Sequence, residues 1–363
     1  MNSTATRRSD GCAISGVLDK KKNRFSASTI VNSIASLRER SNGLGGGFAA
    51  YGIYPQHANE FALHIFYEDR KSRKSTEELL ESSFIISSRE EIPTRPPKNL
   101  SEPPLIWRYF VEPPTEGLRD LKISGKEYVA RQVMEVNSSI EGAYIVSSGK
   151  NMGVFKGVGF PEDIAEFYRL DEYEGYLWTA HGRFPTNTPG WWVGAHPFSL
   201  LDWSIVHNGE VSSYDANRRY INTFGYKCTM KTDTEVITYL CDLLLRRHDM
   251  DPEGAAAVFS APLWEKIARM DEENREYYKK LRTVYGSGLL NGPFSIILGS
   301  QNGFMILNDR IKLRPMVVAE KGDKIFASSE ESGIREVCPD PDELFFPDGG
   351  EPVVGLVEGA DRL

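Results

Sequence analysis

The spacing of apolar and polar residues changes several times along the chain, and each change predicts an element. Cys12 to Leu18 is a short apolar run ending in the charged turn Asp19-Lys20-Lys21-Lys22, which predicts an opening strand. Residues 1–11 are polar, small and basic, and read as a tail. Ile30, Ile34 and Leu37 recur at helical spacing and predict a helix over 27–40, stopped by Ser41-Asn42-Gly43. A glycine-rich strand pair covers Gly45 to Tyr54. Apolar runs at 61–67, 84–86 and 143–146 then alternate with helical patterns at 73–82 and 125–138, around a proline-rich loop from Pro93 to Pro114. Two β-α-β units of this kind predict a ferredoxin-like lobe inserted over 58–149, a docking element by default. Short strands return at 176–180, 204–206, 294–298, 304–307 and 324–327, around helices at 232–248 and 262–284. Residues 346–363 read as a C-terminal tail. Helices bracketed by antiparallel-type strands predict an α+β fold.

Composition narrows the function classes. A chain of 363 residues has room for two domains, or for one with an insertion. Its net charge of -8 disfavours nucleic acid or an anionic membrane as partner. No apolar run has membrane-spanning length and the N-terminus lacks the apolar core of a signal peptide, so a cytoplasmic protein is expected. The four cysteines form no CxxC pair and the six histidines no HxxxH spacing, which argues against a metal centre or a disulfide framework. Cys228, Cys241 and Cys338 read as structural; Cys12, at a strand start, does not.

Three polar segments, two of them with a glycine, follow predicted strands or open a helix: His181-Gly182-Arg183-Phe184-Pro185-Thr186-Asn187, His207-Asn208-Gly209-Glu210 and Thr232-Asp233-Thr234-Glu235. An arginine grips a carboxylate bidentately, an aspartate accepts from an ammonium, and an asparagine followed by glycine offers an amide and an open backbone N–H to an oxyanion. Together they describe an amino-acid pocket that lacks only a nucleophile. Cys12 can supply it. If the Gly11–Cys12 bond is cut, the freed α-amino group, with a reference pKa of about 7.7–8.0, can serve as the thiol's own base.

These motifs resemble those of the class II glutamine amidotransferases, of the N-terminal-nucleophile hydrolase superfamily. HGRFPTNT, the AHPF at 195–198, HNGE and TDTE are most similar to the amidotransferase domain of glutamate synthase, and the chain's length to the stand-alone subunits of archaeal-type enzymes. Asn291-Gly292-Pro293-Phe294, Asp309 with Leu313-Arg314-Pro315, and Ala327-Ser328-Ser329-Glu330 extend the match. The resemblance implies a four-layer α-β-β-α sandwich made of 12–57 and 150–345. It implies Cys12 as nucleophile and Asn208 with the Gly209 N–H as oxyanion hole. Arg183 and Thr186 would hold the glutamine carboxylate, Asp233 its α-amino group, and Arg40 would lie beside the nucleophile as a further substrate-binding residue. Residues 1–11 would be a leader removed by self-cleavage. No cofactor is expected on this chain; FMN and an iron–sulfur cluster would belong to an ammonia-accepting synthase subunit, and a homo-oligomer is compatible with the family. Two alternatives stand beside this reading: a glutaminase serving another acceptor, of the N-methylglutamate synthase type, or an unprocessed regulatory or scaffold module.

Overall fold

The computed structural model describes residues 11–184 and 190–363. Two antiparallel sheets face each other. The seven-stranded sheet runs, edge to edge, through Glu343–Phe345, Val317–Lys321, Lys324–Ser328, Ala13–Asp19, Leu177–Gly182, Gly46–Tyr51 and Met152–Gly157. The five-stranded sheet runs through Phe198–Leu200, Trp203–Gly209, Phe294–Ser300, Gly303–Asn308 and Val353–Leu356.

Alternation of side chains along each strand divides the apolar residues among three interfaces. From Ala13–Asp19, Ile14 and Leu18 enter the core between the sheets, where they join Val206, Ile297, Phe304 and Ile306. Ala13 and Val17 point the other way, to Ile30 and Ile34 of the helix Ser28–Ala35 and Ile164 of the helix Pro161–Phe167. On the far side of the five-stranded sheet, Ile205, Ile296 and Leu298 pack with Val236 and Leu240 of the helix Asp233–Cys241 and with Phe259 of Pro252–Phe259. The order is α-β-β-α, the architecture implied by the family resemblance.

Residues 61–147 add a third sheet in the order Ile85–Glu91, Leu105–Glu112, Phe61–Tyr67, Ala143–Ser147, every pair antiparallel, with the helices Arg70–Ser83 and Gly125–Ser139. Each helical connection skips one strand, which is the split β-α-β arrangement. Leu63, Ile65, Val129 and Val133 share one continuous core with Leu200 and Val236, so this sheet is fused to the body.

Several elements differ from the sequence expectation. The proline-rich stretch 93–114 contains the strand Leu105–Glu112, and the segment read as a tail supplies the edge strand Val353–Leu356. The glycine-rich strand pair is a single strand, Gly46–Tyr51. The first helix stops at Ala35, and Arg38–Arg40 forms a separate short turn. The helix expected over 262–284 is two, because Asp271 caps the second by accepting from the Asn274 N–H at 3.0 Å.

Candidate active site

Strand register assembles the site. Ala13 pairs with Gly182, so Cys12 lies next to the residues that follow on the neighbouring strand. The Phe184 N–H donates to Cys12 Sγ at 3.3 Å. Arg183 is fixed through its backbone: its N–H donates to the Gly45 carbonyl at 2.9 Å, and its carbonyl accepts from Ser41 Oγ at 3.1 Å. Across the sheet interface, Gly209 ends the strand Trp203–Gly209 opposite Phe294. Its φ is +141°, and a Cβ there would lie 2.0 Å from the Pro293 carbonyl oxygen, so the turn demands glycine. Asp233 sits in the first turn of its helix, whose N-terminal dipole favours an anion. Cys12, Arg183, Gly209 and Asp233 line one cavity of about 490 Å³.

Its charges are arranged around the thiol. Burial pushes the Cys12 thiol up from its ordinary value, opposed by the Phe184 N–H and the guanidinium groups of Arg183, Arg314 and Arg40. Burial likewise lowers Arg183, opposed by Cys12 and Asp233. At Asp233 burial acts upward but is outweighed by His207, the Val211 N–H at 3.0 Å and the Thr234 hydroxyl at 3.3 Å, which hold the carboxyl at about 2. Asp233 is therefore a carboxylate at any physiological pH.

Two expected residues sit differently, and one lies outside the described residues. Arg40 Nε donates to the Cys12 carbonyl at 3.2 Å while Nη1 pairs with Glu330 at 2.7 Å. It stands behind Cys12 and holds its main chain, and is not among the residues that line the cavity. Asn208 is fully buried; its amide donates to Ser329 Oγ at 3.5 Å, and its Oδ1, without a hydrogen-bond partner, faces Gly11. Thr186 falls outside the described residues.

The structure also reveals groups that sequence reasoning passed over. The rings of His181 and His196 stack at 4.0 Å, and His181 Nε2 meets the His207 carbonyl at 3.0 Å. Burial brings His181 down to about 3 and His196 well below its ordinary value, so both are neutral. Behind them Lys156, fully buried, donates from Nζ to the Val193 and Pro197 carbonyls at 2.8 and 3.2 Å. These bonds hold the loop that carries His196. Glu235 accepts from the Thr229 and Met230 N–H groups at 3.0 and 2.9 Å, holding the opposite wall. Burial pushes Lys156 down to about 7 and Glu235 up to about 7, each opposed by the other's charge. An isolated strand lysine gives no sign of this; the signal was its place amid the apolar run Met152–Gly157.

Two outcomes follow from this geometry. Lys156→Met leaves two buried carbonyls without their donor, and should cost about 1–3 kcal/mol in urea unfolding. With residues 1–11 attached, iodoacetamide should alkylate Cys12 at a rate whose half-maximal pH lies clearly above about 8.5, where an ordinary thiol is half ionised. Peptide mapping against Cys12→Ala reads this; a midpoint at or below that pH would contradict the raised thiol.

The family described as "Glutamine amidotransferases class-II" matches residues 68–343, more than half of the chain, in a span that begins after Cys12. An uncharacterized protein of Archaeoglobus fulgidus is 50% identical over 354 residues, covering 97% of this chain and 93% of its own. A Methanothermobacter thermautotrophicus protein, provisionally named a glutamine amidotransferase, is 26% identical and covers 90% of this chain and 93% of its own. The large chain of glutamate synthase [NADPH] from Bacillus subtilis is 26% identical over 64% of this chain and 16% of its own. No helix among the described residues is long and apolar enough to cross a membrane. On the family match, carried by the fold and the cavity described above, this chain belongs to the class II glutamine amidotransferases.

Proposed function

We propose that this protein hydrolyses glutamine to glutamate and ammonia through a γ-glutamyl thioester on Cys12, in the cytoplasm, and passes the ammonia to a separate synthase subunit that makes glutamate. The observation that carries the reading is the placement of a thiol, a guanidinium and a carboxylate in the lining of one cavity. Arg183 and Asp233 are complementary to the carboxylate and ammonium of a free amino acid. A glutamine held by both ends of its zwitterion has its side-chain amide left to meet Cys12. The sulfur attacks that amide carbon, the oxyanion rests on the Gly209 N–H and the Asn208 amide, ammonia departs, and water releases glutamate.

In this reading the Gly11–Cys12 bond is cut first. The cut removes the residue facing Asn208 Oδ1, so that the amide can turn its nitrogen into the cavity, and it frees the α-amine that takes the thiol proton. Glutamate synthase is favoured as acceptor by the likeness of the HGRFPTNT, AHPF, HNGE and TDTE motifs to its amidotransferase domain and by the name of the Bacillus relative. Any FMN and iron–sulfur cluster then sit on the acceptor chain.

Purified protein incubated with glutamine should release glutamate, and Cys12→Ala should release none; equal rates would remove the nucleophile. Asp233→Asn, which loses one charged hydrogen bond to the substrate, should raise KM by roughly tenfold to a hundredfold with a smaller effect on kcat. Intact mass of the active enzyme should correspond to a chain starting at Cys12. Active protein that retains residues 1–11 would reject the amine as base. For the acceptor, glutamine-dependent glutamate formation from 2-oxoglutarate should appear on adding a flavin synthase subunit, and its absence would direct the search to other acceptors.

A further inference from the structure

Gly11 immediately precedes the proposed nucleophile, and its surroundings are selective. Its φ is +105°, a region in which an L side chain is strained. A Cβ built at this position lies 2.9 Å from Arg314 Nη1 and 3.4 Å from Asn208 Oδ1. Asn208 and the main chain that carries Arg314 are both anchored. Asn208 is buried in the strand Trp203–Gly209. Arg314 ends a loop that Asp309 ties to the sheet: Asp309 Oδ2 accepts from the Phe294 N–H at 3.2 Å and the Leu313 N–H at 2.9 Å, and Oδ1 accepts from the Ile311 N–H at 3.1 Å. The Arg314 Nε is buried with no hydrogen-bond partner, so the loop fixes the root of the side chain, and the guanidinium is the part that a Cβ at position 11 would have to move.

We infer that Gly11 is the specificity determinant of self-cleavage: the site cuts before Cys12 only when the preceding residue is glycine, and Arg314 is the positioning residue that enforces this. The inference rests on the proposed self-cleavage and deepens it. The reaction needs no co-reactant besides water. Cys12 Sγ attacks the Gly11 carbonyl carbon, the peptide C–N bond breaks, and the acyl group passes to sulfur while the Cys12 nitrogen takes the thiol proton and becomes the free α-amine. Water then hydrolyses the thioester, leaving the Gly11 carboxylate on the leader and the thiol on the enzyme. A side chain at position 11 must shift the backbone out of its positive φ or displace the Arg314 guanidinium, and either movement carries the scissile carbonyl away from the place where this geometry holds it.

The test is a time course of intact mass for the full-length chain, Gly11→Ala, Arg314→Ala and the Gly11→Ala/Arg314→Ala pair, with Cys12→Ala as the uncleavable reference. Wild type should shed residues 1–11, and Gly11→Ala should do so about tenfold more slowly or worse. Because part of the obstacle is the guanidinium, the penalty of Gly11→Ala should be smaller when Arg314 is already alanine. Thermal melting of each variant beside Cys12→Ala, with Gly11→Ser as a second substitution, separates slow cleavage from failed folding. Cleavage of Gly11→Ala and Gly11→Ser at the wild-type rate overturns the inference and leaves the parent reading intact. An undiminished penalty in the pair removes Arg314 from it. A folded wild type that keeps residues 1–11 rejects self-cleavage, and the inference with it.

Discussion

The pairing of Ala13 with Gly182 is the constraint on which the site depends. Antiparallel strands place residues beyond the last pair side by side, so this one register, with the bonds from Gly45 and Ser41 to the Arg183 main chain, brings Cys12 against Arg183 and Phe184. A slip of one residue would exchange Ile14 and Leu18 with Ala13 and Val17 between the inter-sheet core and the helical layer. The register is thus held by apolar burial on both faces of the sheet, and the chemistry inherits its precision from that burial. The five-stranded sheet contributes in the same way, because the pairing of Gly209 with Phe294 sets the open turn at the opposite wall.

The strands were the most legible part of the fold, since a run such as Cys12 to Leu18 or Phe294 to Leu298 is apolar over a length that suits a buried strand. Leu105–Glu112 was hidden by its neighbours. Its apolar and aromatic run is clear once isolated, but prolines at 93, 96, 97, 103, 104, 113 and 114 enclose it and make the whole stretch read as loop. Val353–Leu356 was lost for the opposite reason: four residues are too few to establish a period, and only the edge of Gly303–Asn308 gives them a place. Helix ends failed where a cap overrode propensity, as at Asp271.

The site was legible where a residue's role follows from its own motif and illegible where it depends on contacts across the sheets. Arg183, Asn208-Gly209 and Asp233 announce themselves by residue type after a strand or at a helix start. Arg40 also sits beside Cys12, but the sequence could not show which of its atoms faces what, and the guanidinium is spent on a main-chain carbonyl and on Glu330. His181, His196 and His207 lie too far apart in sequence to suggest a stack; two strands and a loop held by Lys156 bring them together.

The same electrostatics bear on which group can accept the thiol proton. A buried thiol pushed above its ordinary value needs a base nearby that is unprotonated and not far weaker than the thiolate it leaves. His181 at about 3 and His196, lower than an ordinary imidazole, are unprotonated but far too weak. Asp233, at about 2, is weaker still and is occupied by the Val211 N–H and the Thr234 hydroxyl. Lys156, at about 7, has the strength, yet its Nζ is committed to two carbonyls of the loop behind the cavity. An amine on Cys12 itself, with a reference pKa of about 7.7–8.0, meets both requirements and is covalently bound to the residue it must serve. Burial has disarmed His181 and His196, Thr234 and Asp233 engage His207, and structural bonds hold the lysine, so the arrangement is coherent as a catalyst if the chain end is made at Cys12.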